Sequence, residues 1–198
     1  MQRMVRLKKE MERFTQHNEE GIACWQADEL DELKASVVGP ENSPYQYGIF
    51  ELDIIIPDRY PFVPPNVRFV TPVYHPNIDS SGRICLDILK VPPQGTWKPS
   101  LNLVDVLSSI RFLMSYPNFN DPLMTEISDQ YQRNYNEFYR HAEEHTRKHA
   151  KENVKDKKRS FDLAFPAPKN VVEPCSSSQA NSVENLIENS TKKNKMSL

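Results

Sequence analysis

At 198 residues, 38% of them hydrophobic, the chain is long enough for one domain with a real core and short for two. Its three cysteines, Cys24, Cys85 and Cys175, are widely spaced with no CxxC pair, which argues against a disulfide framework or a zinc knuckle and for a reduced, intracellular protein. The formal net charge is -2, but residues 151–198 carry nine Lys or Arg against six Asp or Glu, a surplus of +3 that leaves -5 on residues 1–150.

The opening stretch MQRMVRLKKEMERF is charged throughout where a signal peptide needs an apolar run. No segment approaches the roughly 18 apolar residues of a membrane span, so a soluble chain with no membrane partner is expected. Met4, Leu7, Met11 and Phe14 recur at spacings of three, four and three, which predicts an N-terminal amphipathic helix. Arg3, Arg6, Lys8, Lys9 and Arg13 make its other face basic. A first strand is expected to begin around Cys24 and Trp25, where packing is enough to explain the thiol. Further strands follow at LKASVV (Leu33 to Val38), at YGIFELDIIIP, where Phe50, Leu52, Ile54 and Ile56 alternate with other residues, and at VRFV (Val67 to Val70). Their linkers are short and rich in turn residues, so an antiparallel meander of four strands is expected rather than a parallel sheet with crossover helices.

After Val70 the pattern gives way to TPVYHPNIDSSGRICLDILKVPPQGTWKPS, a loop of about thirty residues; a loop of that length inside a compact domain is usually functional. A helix is then predicted with Ser100 as its N-cap and Leu103, Val106, Leu107, Ile110, Leu113 and Met114 as its apolar stripe. Asp121 and Pro122 read as the cap and first position of a second helix, and a third is expected from Tyr135 to about Lys148. His141, His145 and His149 recur every four residues on that last helix, but no pinned carboxylate or cysteine accompanies them, so no metal is expected. From about residue 150 sustained periodicity stops. The expected organisation is a folded domain over 1–152 and a disordered basic tail over 153–198, in which Cys175 needs no role.

Four segments, in this order and spacing, resemble the ubiquitin-conjugating enzymes, carriers that hold ubiquitin as a thioester on a cysteine and pass it to lysine. YPFVPP (Tyr60 to Pro65) looks like the family's proline-rich turn after the third strand, and HPNI (His75 to Ile78) like its signature triplet. GRICLDIL (Gly82 to Leu89) looks like the active-cysteine segment, and WKPS with PNFNDPLM (Pro117 to Met124) like the loops flanking the following helix. Together they are far more specific than any one motif. GIACWQ, KVPPQGTWKPS and the basic tail resemble the T-type branch, which serves the Fanconi anaemia DNA-repair pathway. The resemblance implies the α+β ubiquitin-conjugating fold over residues 1 to 150, with no cofactor or metal on the carrier. It implies loading by an ATP-dependent activating enzyme and transfer with a RING ligase, of the Fanconi complementation-group L type, to a substrate lysine. Monoubiquitination in DNA crosslink repair, in the nucleus and also the cytoplasm, is the expected role.

The residues can be asked for the same chemistry directly. A thioester acceptor has to be partly exposed and does not need a very low pKa, because nucleophilicity falls with pKa; Cys85, in a Gly- and Pro-rich loop ten residues after His75, is the candidate nucleophile. Aminolysis passes through an oxyanion, and Asn77 is placed either to donate to it or to tie the loop to backbone groups. His75 invites a Cys-His dyad, but no third orienting residue is evident, and the resemblance gives this His a structural role. The attacking lysine is about one part in a thousand neutral near pH 7.4. Asp121 matches the family's acidic position facing the amine, for positioning and late proton acceptance.

Phe62, on a proline-stiffened turn after Pro61, reads as a partner anchor. With Pro99 and the helix face bearing Arg3, Arg6 and Lys9, it matches the family's overlapping site for RING ligases and the activating enzyme. Lys90, five residues past Cys85, is a candidate for automodification, and with Lys98 it could instead meet acidic substrate residues. KDKKRS and TKKNK in the tail are short patches of the nuclear-import or nucleic-acid-contacting kind. No direct nucleic-acid binding is expected, and the chain is expected to be a monomer. Readings from other classes are a non-catalytic ubiquitin-binding scaffold, a carrier of another ubiquitin-like protein, and a cysteine hydrolase.

Overall fold

The computed structural model describes residues 2–16, 21–27 and 31–150. Cys175, the proposed boundary at 152 and the basic runs of the tail lie outside them. Helix α1 (Gln2–Gln16) leads into strands β1 (Ile22–Gln26), β2 (Glu32–Val38), β3 (Ile49–Ile55) and β4 (Asn66–Phe69). The strands form one antiparallel sheet in the order β1-β2-β3-β4, the expected meander. Helices α2 (Leu103–Ser115), α3 (Thr125–Arg133) and α4 (Tyr135–His149) complete the described chain, and none of its helices is long and apolar enough to cross a membrane.

The alternation of β3 decides which face is covered. Phe50, Leu52, Ile54 and Ile56 are buried while Glu51 and Ile55 face solvent. Each such side chain contributes about 1.5–3 kcal/mol by leaving water. Cross-strand register puts Lys34 and Arg68 on either side of Asp53, so the outer face carries a charge ladder, Arg68 reaching the carboxylate at 2.9 Å. All six residues of the α2 stripe are buried. On α1 the apolar face is less complete: Leu7 is buried, Met11 and Phe14 pack half-covered against the core, and Met4 is 40% exposed.

Three expected boundaries move. The N-cap of α2 is Asn102, not Ser100. Its side chain accepts from the N–H groups of Val104 and Asp105, and Asp105 returns a bond to the Asn102 N–H, closing a capping box. The helix expected from Asp121-Pro122 begins at Thr125, because the Asp121 carboxylate is engaged elsewhere and the N–H groups of Leu123 and Met124 donate to the Pro76 carbonyl at 2.9 Å. The last strand runs one residue earlier than VRFV, from Asn66 to Phe69.

Candidate active site

The thirty-residue loop is held by local chemistry. Gly82 has φ +82°, and a Cβ there would lie 1.9 Å from the Phe69 carbonyl oxygen, so only glycine turns the chain at this point. The Asp79 carboxylate accepts from the Ser81 N–H and hydroxyl, and from the backbone and side chain of Arg83. From this turn the chain runs back, and the Cys85 N–H donates to the Asn77 carbonyl at 2.9 Å. A 3-10 turn, Asp87–Leu89, then delivers Lys90, whose carbonyl accepts from the Trp97 N–H.

Each residue of the His-Pro-Asn triplet fastens this loop to another segment. His75 is fully buried. A carbonyl can only accept, so its Nε2 carries the proton and donates to the Leu113 oxygen at 3.0 Å, while Nδ1 accepts from the Asn77 N–H. Burial pulls its pKa down to about 4, the Leu113 bond opposing, so it is neutral at pH 7 with both nitrogens committed. Pro76 accepts from Leu123 and Met124. Asn77, also fully buried, donates through Nδ2 to the carbonyls of Asn118 (2.7 Å) and Asp121 (3.2 Å), and its Oδ1 accepts from the Asn118 N–H. Both protons of its amide are thus used in tying residues 118–121 to the cysteine loop; donation to an oxyanion requires one of these bonds to open.

That tie places Asp121 over the thiol. Cys85 Sγ donates to Asp121 Oδ2 at 2.9 Å, and Lys90 Nζ donates to Sγ and to the same carboxylate oxygen, each at 3.2 Å. Cys85 is 9% exposed, less than a partly open acceptor was expected to be, because these two side chains sit on it. Burial, and next the bond to Asp121, push its pKa up, and Lys90 opposes both. Its bond to the thiol, then that to the carboxylate, raise Lys90, and the bonds from Cys85 and then Lys90 hold Asp121 down. These directions keep the proton on sulfur at rest; Oδ2 is placed to accept it as the sulfur bonds to an acyl carbon, with an ammonium facing the sulfur.

The other candidates sit apart from this triad in the structure's contacts. Phe62 is 62% exposed, Pro61 is half-buried, and Pro99, Lys98 and Lys9 are exposed. Arg3 and Arg6, expected as outward cations, are engaged internally: Arg3 with Asp31 and with Asp58 at 3.0 Å, Arg6 with Glu10 and with the Leu101 carbonyl at 2.7 Å. Cys24 packs beside Met11, and burial pushes its thiol up to about 12. His141 bonds Gln130, and among the described residues no group of His, Cys, Asp and Glu is suited to a metal. Sequence reasoning passed over Glu10, Tyr60 and Asn118; for Glu10 the spacing of four from Arg6 was the available signal.

The family described as ubiquitin-conjugating enzyme matches residues 6–146. The chain belongs to the ubiquitin-conjugating enzymes. It is 54% identical over 141 residues to the human protein named ubiquitin-conjugating enzyme E2 T, 71% of this chain and 72% of that one. Against the E2 T of Danio rerio it is 56% identical over 135 residues, 68% and 70% of the two chains. Ubiquitin-conjugating enzyme E2 13 of Saccharomyces cerevisiae is 44% identical over 130 residues, 65% of this chain and 82% of the yeast protein. The solved E2 domain of a Toxoplasma gondii ubiquitin-conjugating enzyme matches with a TM-score of 0.67 at 36% identity, covering 74% of this chain and 98% of that one. The protein is therefore a ubiquitin carrier of E2 T type, a cysteine thioester transferase that meets ubiquitin, its activating enzyme and ligases.

Proposed function

We propose that Cys85 is the residue that takes ubiquitin, and that the chain delivers it with a RING ligase to substrate lysine. The observation that carries this is the convergence of Asp121 Oδ2 and Lys90 Nζ on the Cys85 sulfur. In loading, Sγ attacks the thioester carbonyl on the activating enzyme. Its proton passes to Asp121, the new Sγ–C bond forms, and the activating enzyme's sulfur leaves as a thiolate. Asp121 then passes that proton to the departing thiolate or to solvent, and its carboxylate, no longer bonded to a thiol, is open to an incoming lysine, which it orients and from which it accepts a proton late. Asn77 keeps that carboxylate in place by holding the Asp121 carbonyl, and His75 holds the triplet to the end of α2. Phe62, Pro61 and Pro99, with Lys9 and the stem of Arg6, form the face for activating enzyme and ligase.

The likeness to E2 T proteins and the basic runs of the tail support a finer assignment: monoubiquitination in DNA crosslink repair, in the nucleus, with a ligase of the Fanconi complementation-group L type. Automodification at Lys90 belongs to the same reading. Incubation with ubiquitin, activating enzyme and ATP tests the core of it on gels run with and without reductant. A reductant-sensitive adduct that vanishes in Cys85→Ala and becomes a resistant ester in Cys85→Ser is expected; an adduct that persists in Cys85→Ala refutes the assignment. Mass spectrometry of the charged reaction locates modified lysines, and their absence at Lys90 removes the automodification reading.

A further inference from the structure

Glu10 is 2% exposed, one of the most deeply buried polar side chains described, and the site chemistry above does not use it. It sits on the side of α1 opposite solvent, and donors from three segments converge on its two oxygens. Arg6, one turn earlier, donates from Nε. The Tyr60 hydroxyl lies 2.9 and 2.8 Å from Oε1 and Oε2. The Leu103 N–H, at the start of α2, donates to Oε2 at 2.9 Å. Arg6 completes the bridge by donating to the Leu101 carbonyl.

The placement of those donors carries the inference. Tyr60 is two residues before Phe62, and Leu103 is four residues after Pro99; these are the two turns whose exposed tips form the docking face proposed above. A second strut joins the same turns, the Trp97 indole donating to the Pro61 carbonyl at 2.8 Å. The Trp97 and Tyr60 rings lie beside each other with centroids 6.1 Å apart. A buried carboxylate costs free energy unless it is paired and fully hydrogen-bonded, and bonds to a charged acceptor are stronger and more directional than neutral ones. Apolar packing would anchor α1 equally well; what a carboxylate adds is a fixed geometry for donors arriving from separate directions.

We propose that Glu10 is a positioning residue for this carrier's docking face: it sets the Phe62 turn and the Pro99 turn at a fixed separation against α1, so that the face meets activating enzyme and ligase preorganised. The inference rests on the reading of Phe62 and Pro99 as that face. In Glu10→Gln one oxygen becomes an amide that donates toward the Arg6 or Leu103 N–H, which breaks the convergence without removing volume. Tyr60→Phe removes one donor and leaves the carboxylate.

The test measures initial rates of thioester formation on the full chain as its concentration is varied, at fixed activating enzyme, ubiquitin and ATP. The measurement is made for Glu10→Gln, for Tyr60→Phe and for Phe62→Ala as the reporter of the face. The expected result is a KM raised about tenfold in Glu10→Gln and about threefold in Tyr60→Phe, with kcat within twofold, because docking loses preorganisation while the thiol does not change. Because the carrier is the varied substrate, a loss of folded fraction alone would raise the apparent KM in proportion, so concentrations are expressed as folded protein from each variant's urea unfolding curve; on that scale a merely structural Glu10 leaves KM unchanged. That outcome, unchanged KM in both hub variants while Phe62→Ala raises it, overturns the inference and leaves the face standing. Unchanged KM in Phe62→Ala removes the face, and the inference with it.

Discussion

The two roles open to Asn77 separate in one variant. Asn77→Ala removes three bonds at once: two from Nδ2, to the Asn118 and Asp121 carbonyls, and one to Oδ1 from the Asn118 N–H. At about 1 kcal/mol net for each, the loss is about 3 kcal/mol. In a domain of roughly 150 residues that lowers the Tm by about 6–12 °C. The 118–121 segment then loosens and Asp121 drifts from the thiol, so lysine discharge falls as well. An oxyanion donor predicts a different pair of numbers: discharge down on the order of 10²–10³-fold with little change in stability. The assay is a thermal melt of the uncharged protein beside single-turnover discharge of the preloaded thioester to free lysine. A Tm that drops with discharge agrees with the tie. A Tm within about a degree of the parent alongside a hundredfold slower discharge refutes it, and assigns the amide to the transition state.

Alkylation of Cys85 by iodoacetamide across pH reports its flanking charges: Asp121→Asn should move the profile to lower pH, because the carboxylate stabilises the thiol, and Lys90→Met should move it to higher pH. Gly82→Ala forces a Cβ against the Phe69 carbonyl at a left-handed φ; a loss above about 2 kcal/mol and failure of loading are expected, read by urea unfolding and by the gel assay. His75 falls from 6.5 to about 4 on folding. Below pH 6.5 the unfolded chain therefore takes up a proton that the native state refuses. Its contribution is complete above 6.5 and about 3 kcal/mol is lost on descending to 4. Urea midpoints from pH 7 to 4.5 should fall more steeply in the parent than in His75→Gln, and parallel slopes would show that other groups dominate.

What could be read from the sequence was whatever one element states by itself. The period of two in FELDIII and the stripe from Leu103 to Met114 name their buried faces without reference to anything else, and both faces are buried as read. The His-Pro-Asn triplet and the Gly82–Leu89 segment marked the candidate site's place through their resemblance to the family's motifs and their position in one long loop. The sequence could not show whose polar group a side chain would meet across the fold. Asp121 looks like a helix cap beside a proline, yet the Pro76 carbonyl takes the neighbouring N–H groups and the carboxylate goes to a thiol 36 residues back. Arg3 and Arg6 look like a docking charge pair and are spent within the molecule, one on Asp31 and Asp58, the other on Glu10.

The same logic explains why function concentrates where local rules fail. A capping residue that does not cap and a helix carboxylate that is buried have each been drawn from a local partner to a distant one, and only the assembled fold compensates the cost. Asp121 is held at the thiol by Asn77, which is held by residues 118–121 in return, so neither position is fixed until both segments have docked. Loss of either bond set should therefore cost stability and chemistry together, whereas a purely local cap costs stability alone.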